Sequence, residues 1–356
     1  MLGRSFWAIG LLKDFQGKFN QEPRGVLWEF KFSLKERHKI YKPLAQLRMA
    51  HSMDPLEEII RKKALMLGFL RVGFTSPDPP PYLWAFEEYL SRGYHGQMWW
   101  LKERAPLRRD PRLLLEGVQT IIVLAYPYPQ YKLSTPEGLE VSRFANPMLP
   151  DYHKRIKGLL NSLVEEIKAF YPKERFRSFV DSGPLLEKAM GVKAGIGFFG
   201  KNTSLIIPGY GSYFHLALIL TTVRISYQPK EPIPSACLHC QLCIKACPQG
   251  ALVGPYTLDA RKCLAYLTVE FEEDILGLIN QKPMKCFYGC DICQEVCPFN
   301  PPKRTLIALP QAERILYMSP KDFENIFGGS AFLRAGLARL KRNIEVCLKS
   351  LNQGRE

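Results

Sequence analysis

The chemistry-bearing residues of this chain are concentrated between Cys237 and Pro298, a stretch that holds nine of its ten cysteines. It opens with Cys237-Leu-His-Cys240-Gln-Leu-Cys243-Ile-Lys-Ala-Cys247-Pro248 and closes with Cys290-Asp-Ile-Cys293-Gln-Glu-Val-Cys297-Pro298, with Cys263 and Cys286 between. A cubane iron–sulfur cluster needs four thiolates pointing inward around a compact core. In the C-x2-C-x2-C-x3-C-P run a tight loop supplies three of them, the fourth cysteine reaches over to a second cluster, and the proline ends the loop. On that pattern Cys237, Cys240 and Cys243 hold one [4Fe–4S] cluster with Cys297. Cys290, Cys293 and Cys247 then supply three ligands of the other. Two residues compete for its last position: Cys263, and Cys286, which is nearer but one residue out of the two-residue spacing. Structural zinc also uses C-x2-C pairs, but in separated twos rather than a run of four. A disulfide framework suits short secreted chains, and this one is long with no secretory signal.

Three other patterns could do chemistry. Gly195-Ile-Gly197-Phe-Phe-Gly200 matches G-x-G-x-x-G. A dinucleotide fingerprint must leave a strand, open a helix and be followed by an acid about 20 residues on. Here a helix is expected before the motif and a strand after it, and the next acid is Glu231, so a dinucleotide site is rejected. A glycine-dense loop ending in Lys201-Asn202-Thr203-Ser204 still lets backbone come close to a bulky ligand. Asp151-Tyr-His153 has the D-x-H form of histidine-linked cobalamin sites, but its glycine is misplaced, and a carboxylate capping the next helix is the better reading. Asp181-Ser-Gly-Pro184 places a carboxylate just past an expected strand. With Pro184 as the first helical residue and Gly183 as the cap, Asp181 is spared that duty. The residues themselves leave an acid–base role and an ordinary Asx-turn equally open.

The elements that must position these groups are legible in outline. Met53-Asp-Pro-Leu-Glu-Glu starts a helix with Asp54 as cap and Pro55 at the first position, ending at Gly68. Two short helices are expected around Leu83–Leu90 and 93–104. Val118–Tyr126 is a near-continuous apolar run, hence a buried strand. Asp151–Tyr171 reads as an amphipathic helix, Phe176–Val180 as a strand and Leu185–Lys193 as a helix. Strands at Ser204–Ile207 and Phe214–Val223 complete an α/β domain. Pro229, Pro232 and Pro234 form a stiff linker into the cysteine block. After Pro310 the chain is helical, with Ala331–Leu351 amphipathic and basic.

The 356 residues suffice for two or three domains, and 46% hydrophobic with 23% charged residues describes a soluble globular protein. The net charge of +15 calls for an anionic partner: nucleic acid, a membrane surface or a phosphate-bearing cofactor. Phe6–Leu12 is too short for a signal or a span. The uncharged run from Asn202 to Val223 is broken by Pro208-Gly-Tyr-Gly211, so no membrane association is expected.

Taken together, the chain resembles epoxyqueuosine reductases, cobalamin and iron–sulfur enzymes of queuosine biosynthesis in tRNA. The matching segments are Tyr94-His-Gly96 with Arg104, Arg143-Phe-Ala followed by Asp151-Tyr-His153, and Val180-Asp-Ser-Gly-Pro184. They continue through Gly195-Ile-Gly-Phe-Phe-Gly-Lys-Asn202, both cysteine blocks, Leu258-Asp-Ala-Arg-Lys-Cys263 with Tyr266-Leu-Thr268, and Gly289-Cys-Asp-Ile-Cys-Gln-Glu-Val-Cys-Pro-Phe-Asn300, collinear over about residues 53–305. The resemblance implies an α+β fold. A nitroreductase-like domain binding cobalamin base-off (53–228) is followed by a ferredoxin-like two-cluster domain (229–305) and a short C-terminal helical segment (306–356). Residues 1–52 are expected to be an extension outside the fold. It further implies that Asp181 is the proton donor, that Arg104, Asn202, Ser204 and Asp291 contact cobalamin, and that Cys263 is the last cluster ligand, leaving Cys286 a free thiol. The C-terminal helical repeats of longer members are reduced to about one helix pair.

The implied partners are the anticodon loop of a tRNA and a separate electron donor, for a cytoplasmic monomer. Two rival readings are a corrinoid reductive dehalogenase, which would carry a twin-arginine export signal not visible here, and an electron-transfer protein without corrin.

Overall fold

The computed structural model describes residues 55–279 and 284–353. The expectation for residues 1–52 lies outside them. In chain order the helices and strands are α1 (Pro55–Met66), β1 (Arg71–Thr75), α2 (Leu83–Ser91), α3 (Trp100–Glu103), α4 (Ala105–Arg109), β2 (Thr120–Pro127), β3 (Lys132–Ser134), β4 (Glu140–Val141), α5 (Tyr152–Lys168) and β5 (Phe176–Val180). They continue with α6 (Glu187–Lys193), β6 (Phe198–Phe199), β7 (Leu205–Ile206), β8 (Phe214–Thr221), α7 (Leu242–Ala246), β9 (Leu252–Gly254), β10 (Thr257–Leu258), α8 (Leu264–Val269), β11 (Cys286–Tyr288), α9 (Ile292–Glu295) and β12 (Thr305–Ile307). Last come α10 (Ala312–Leu316), α11 (Pro320–Phe327) and α12 (Phe332–Gln353), which is broken at Gly336. Among the described residues no helix is long and apolar enough to cross a membrane.

The central sheet has the order β1-β2-β8-β5, and every neighbouring pair is antiparallel. β2 and β8 are apolar on both faces because both are covered. Ile122 and Leu124 face Ile60 of α1 and Ile156, Leu160 and Leu163 of α5, whereas Ile121 and Val123 face Met190 and Val192 of α6. Successive residues of a strand point to opposite sides, so a strand buried on both reads as one unbroken apolar run. β5 is an edge strand, and Asp181 follows its last residue.

A second sheet, of order β11-β4-β3-β12, pairs β4 and β3 from the first half of the chain with β11 and β12 on either side of the last cysteine block. Strands of two or three residues carry no readable period, and the sequence reading missed all four. A third apolar core packs α8 and β11 against α10, α11 and α12. Gly289, immediately before Cys290, sits in the left-handed region at φ 76°. A Cβ there would collide with the Ser142 side chain, so only glycine lets the cysteine loop approach this closely.

Candidate active site

The two cysteine loops are pinned by the glycine-rich loop after α6. Lys201 is buried, and its Nζ donates to the carbonyls of Leu238 (2.5 Å) and Cys240 (2.9 Å) in the first loop. Asn202 Nδ2 donates to the Cys293 carbonyl in the second at 3.3 Å, and Ser204 N–H donates to Asn202 Oδ1 at 3.2 Å. The motif rejected as a dinucleotide fingerprint therefore spans both cluster-binding loops. It follows α6 and contains β6, the reverse of the strand-then-helix order that a dinucleotide needs.

Cys237, Cys240, Cys243 and Cys297 line one cavity of about 100 Å³, closed by Gly200 and Phe299. Cys247, Cys263, Cys290 and Cys293 form the other group. Burial pushes the Cys293 thiol up to about 12, and Cys263 and Cys247 add to the shift. Cys290 is raised likewise by burial and, among its neighbours, by Cys286, Cys293 and Cys263. Buried thiols crowded in this way are the donor set that a cationic iron–sulfur core relieves. Among the described residues no three His, Cys, Asp or Glu side chains converge on a single metal ion. A cubane spaces its thiolates around a larger core and does not require that convergence. The buried thiol of Cys286 donates to the Tyr288 carbonyl at 3.8 Å, and it bears on Cys290.

Asp181 occupies the left-handed region at φ 57°, unusual for a residue with a side chain. α6 begins at Glu187, later than the expected Leu185. Pro184 is thus not the first helical residue, and the segment 181–186 is a loop that presents Asp181 beyond β5. Its side chain is 58% exposed. The carboxylate accepts a short hydrogen bond from Tyr152 Oη and stands 3.7 Å from His153 Nε2. Arg334, from α12, donates through Nη2 to Tyr152 Oη and through Nη1 to His153 Nε2, both at 3.2 Å. Its Nε lies 3.3 Å from Asp151 Oδ2. Asp151 caps α5, as expected, accepting from His153 N–H at 2.7 Å, and its Oδ1 lies 2.9 Å from His153 Nδ1. A proton on Nδ1 lets the imidazole donate to Asp151 and accept from Arg334. Behind Tyr152, His215 stacks on its ring at 3.9 Å and 9°, and burial holds the His215 pKa down to about 3.

Lys188, one residue into α6, reaches solvent and donates to the Thr203 carbonyl at 3.1 Å. Desolvation lowers its pKa, opposed by the nearby charges of Asp181, Cys293, Glu187 and Cys263. Lys188 therefore stands within electrostatic reach of both the Asp181 loop and the second cysteine group. Glu187 beside it is pushed well above the usual carboxylate range by burial and by Asp181, and its Oε1 is buried without a partner. His215 Nε2 is a second buried polar atom lacking one. Both residues stand within electrostatic reach of Asp181, and buried polar atoms without a partner call for one, so the residues present fit a large polar cofactor such as cobalamin.

The remaining expected contacts divide. Arg104 is exposed and lines a groove with Ser182, Gly183 and Pro184 at the Asp181 loop. Asp291 is buried and already engaged, accepting from Arg143 N–H (2.9 Å) and Nη1 (3.1 Å). It belongs to a charge network in which Lys132 Nζ meets Glu140 (2.9 Å) and Glu295 (3.1 Å), and Arg143 Nη1 meets Glu295 (3.0 Å). Sequence reasoning missed Tyr152, Lys188, Lys201 and Arg334. Tyr152 could have been suspected from its place between Asp151 and His153, whereas nothing local marks Arg334.

Comparison with known proteins agrees with this geometry. Residues 236–300 match the family described as 4Fe-4S double cluster binding domain, and residues 108–182 match Epoxyqueuosine reductase QueG, DUF1730. The second match ends on the Asp181 loop. Epoxyqueuosine reductase of Escherichia coli (strain K12) is 34% identical over 313 residues, covering 83% of this chain and 81% of that protein. The structure of epoxyqueuosine reductase from Bacillus subtilis, with its catalytic aspartate loop swung out of the active site, is similar with a TM-score of 0.69 at 28% identity, covering 84% of this chain and 82% of that one. An epoxyqueuosine reductase structure with an epoxyqueuosine-modified tRNA-Tyr stem loop is similar to the same degree, with a TM-score of 0.69, 28% identity and coverage of 84% and 82%. The double-cluster segment carries two [4Fe–4S] clusters, and with identity running through most of both chains the protein belongs to the epoxyqueuosine reductase family.

Proposed function

We propose that this chain reduces epoxyqueuosine to queuosine at the wobble position of tRNA. The observation that carries the reading is the link through Lys188, which follows the loop of the exposed Asp181 carboxylate and donates to Thr203, next to the Asn202 that holds the Cys293 carbonyl, so that the carboxylate and the second cysteine group bear on one ammonium. Removing an epoxide oxygen as water, leaving an alkene, takes two electrons and two protons. Asp181 is the proton donor to the leaving oxygen, without which that oxygen departs poorly. Tyr152, His153 and Arg334 orient it and connect it to solvent for the second proton. The catalytic aspartate loop of the Bacillus subtilis relative supports this assignment.

Cysteines 237, 240, 243 and 297 hold the first cluster, and Cys247, Cys263, Cys290 and Cys293 the second. Arg104 and Ser204 contact cobalamin. Asn202 and Asp291 belong to the same contact set, and their hydrogen bonds to the Cys293 carbonyl and to Arg143 brace the wall from which they do so. When bound, cobalamin supplies a two-electron centre that one-electron clusters do not. Electrons come from a separate donor protein, and the enzyme acts as a cytoplasmic monomer. The stem-loop complex of a relative and the +15 charge support tRNA as substrate, since a base lifted from a single-stranded loop can be read inside a pocket while phosphates supply affinity. Anaerobic incubation with cobalamin, a chemical reductant and epoxyqueuosine-containing tRNA, followed by nucleoside analysis, should yield queuosine. Its absence with fully loaded enzyme would overturn the proposal.

A further inference from the structure

A groove of about 890 Å³ runs away from the Asp181 loop between α5 and the free edge of β5. One end is formed by Ser182–Pro184 and by His153, whose ring stands 3.7 Å from the Asp181 carboxylate. The other reaches Lys168, about 22 Å along α5 at 1.5 Å per residue. Its lining is strongly basic: Arg104, Lys154, Lys157, Lys168 and Arg177 against one acid, Glu165. Glu165 is paired with Lys168 at 3.2 Å, whereas Lys154 and Lys157 are exposed and have no acidic partner among the described residues. The half-buried rings of Phe176 and Phe179, from opposite faces of β5, also border the groove. β5 is the end strand of its sheet, so its outer edge leaves backbone groups open to the groove.

We infer that this groove is the track for the phosphate backbone of the substrate RNA, carrying the strand that leads to the nucleoside at Asp181. The inference rests on the proposed tRNA substrate. A line of basic side chains, Lys154 and Lys157 without an acidic partner among the described residues, bordered by aromatics suits a single-stranded or loop backbone, where cations meet phosphates and rings stack on bases. An acidic electron-donor protein is the other class that a basic groove could take. The geometry favours RNA, because the groove opens at the proton donor, whereas Cys237, Cys240 and Cys243 line a separate cavity.

The test is direct binding of an epoxyqueuosine-modified anticodon stem-loop to the cofactor-loaded enzyme, by anisotropy over a series of salt concentrations. It does not depend on turnover, so wild-type enzyme that binds RNA but makes no queuosine would fail the functional reading and leave this one standing. K154E/K157E should weaken binding at least 10-fold and flatten the dependence of log affinity on log salt by about 0.7 for each phosphate that is no longer neutralised. Cobalamin and iron contents and turnover at saturating tRNA should stay within about 2-fold of wild type. The milder K154Q/K157Q should show the same trend with a smaller loss, separating charge from any folding defect. Unchanged affinity and salt slope would overturn the inference. So would loss of cobalamin from K154Q/K157Q, which would assign the lysines to the cofactor's own phosphate. A raised KM for flavodoxin or ferredoxin with tRNA binding intact would overturn it in favour of the donor protein.

Discussion

Tyr152 donates a hydrogen bond to the carboxylate of Asp181 across the gap between the first turn of α5 and the end of β5. The phenol is itself held by Arg334 at 3.2 Å and stacked on His215 at 3.9 Å. An aspartate on an exposed loop with φ 57° thus gains a fixed direction from a rigid, mostly buried neighbour. Arg334 comes from α12, so the C-terminal helical segment takes part in aiming the Asp181 carboxylate. Asp181→Ala should therefore keep both clusters and cobalamin and lose turnover by about 10²- to 10⁴-fold, the usual reach of a general acid. Tyr152→Phe keeps the ring stack and removes only the hydroxyl. It should lower turnover by up to about 100-fold through misplacement without changing the affinity for tRNA. Single-turnover kinetics on loaded enzyme reads both, and a Tyr152→Phe enzyme with wild-type turnover would remove the phenol from the site.

Protonation of His215 should weaken the fold in mild acid. Its folded pKa is held down to about 3 by burial, against an ordinary value of 6.5. The unfolded chain therefore binds a proton that the folded chain refuses, and stability is lost as pH falls through 6.5 toward 3. Between pH 7 and pH 5 the loss attributable to this one ring is about 2 kcal/mol, from 1.4 kcal/mol per unit. His215→Phe retains a flat ring on Tyr152 and cannot titrate. Anaerobic urea denaturation at the two pH values should show the variant losing about 2 kcal/mol less than wild type. Equal losses would mean that the ring is not buried in its neutral form.

How much of this was legible follows from element length. β5 matches the expected Phe176–Val180 residue for residue, and α5 lies within the expected Asp151–Tyr171, since a hydrophobic pattern sustained over several turns or a whole strand is set by the face that the element buries. The cysteine spacings were readable because cluster geometry dictates them. The sheet joining β3 and β4 to β11 and β12 was not, because its strands are two or three residues long and pair across more than 140 positions of chain. α6 starts late because Leu186, at φ −85° and ψ 71°, is not helical, so the proline did not occupy the first turn that local propensity offers it. Asp181 was visible as a candidate. Its partners Arg334 and Lys188 became visible only through tertiary contacts.

The charge network under the second cysteine loop should behave as a buried structural unit. The Arg143 side chain is fully buried, bridges Asp291 and Glu295, and lies 4.4 Å from the centre of the Tyr213 ring. Arg143→Met leaves the three carboxylates of Glu140, Asp291 and Glu295 around Lys132 with one cation fewer. Removing one member of a buried ion pair costs about 3 to 5 kcal/mol, and Asp291 directly precedes Ile292-Cys293. Urea denaturation should register the loss, together with faster release of the second cluster on exposure to air. A loss below about 1 kcal/mol would show that the network is worth no more than surface pairs.

The last ligand of the second cluster separates Cys263 from Cys286. Cys263 neighbours Cys247, and Cys293 in turn neighbours both. Cys286 lies in the environment of Lys132, Asp291 and Tyr288 and bears on the group at Cys290. A cubane takes one thiolate per iron, so a residue facing a single member of the set is poorly placed to close it. Cys263→Ala, purified and reconstituted anaerobically, should hold about four irons rather than about eight, the content of two [4Fe–4S] clusters, and lose turnover. Cys286→Ala should keep about eight irons, because its thiol serves packing against Ser142 and Lys132 instead of ligation. Eight irons in Cys263→Ala and a loss in Cys286→Ala would reverse the assignment. Equal losses in both would place the two sulfurs around the same cluster.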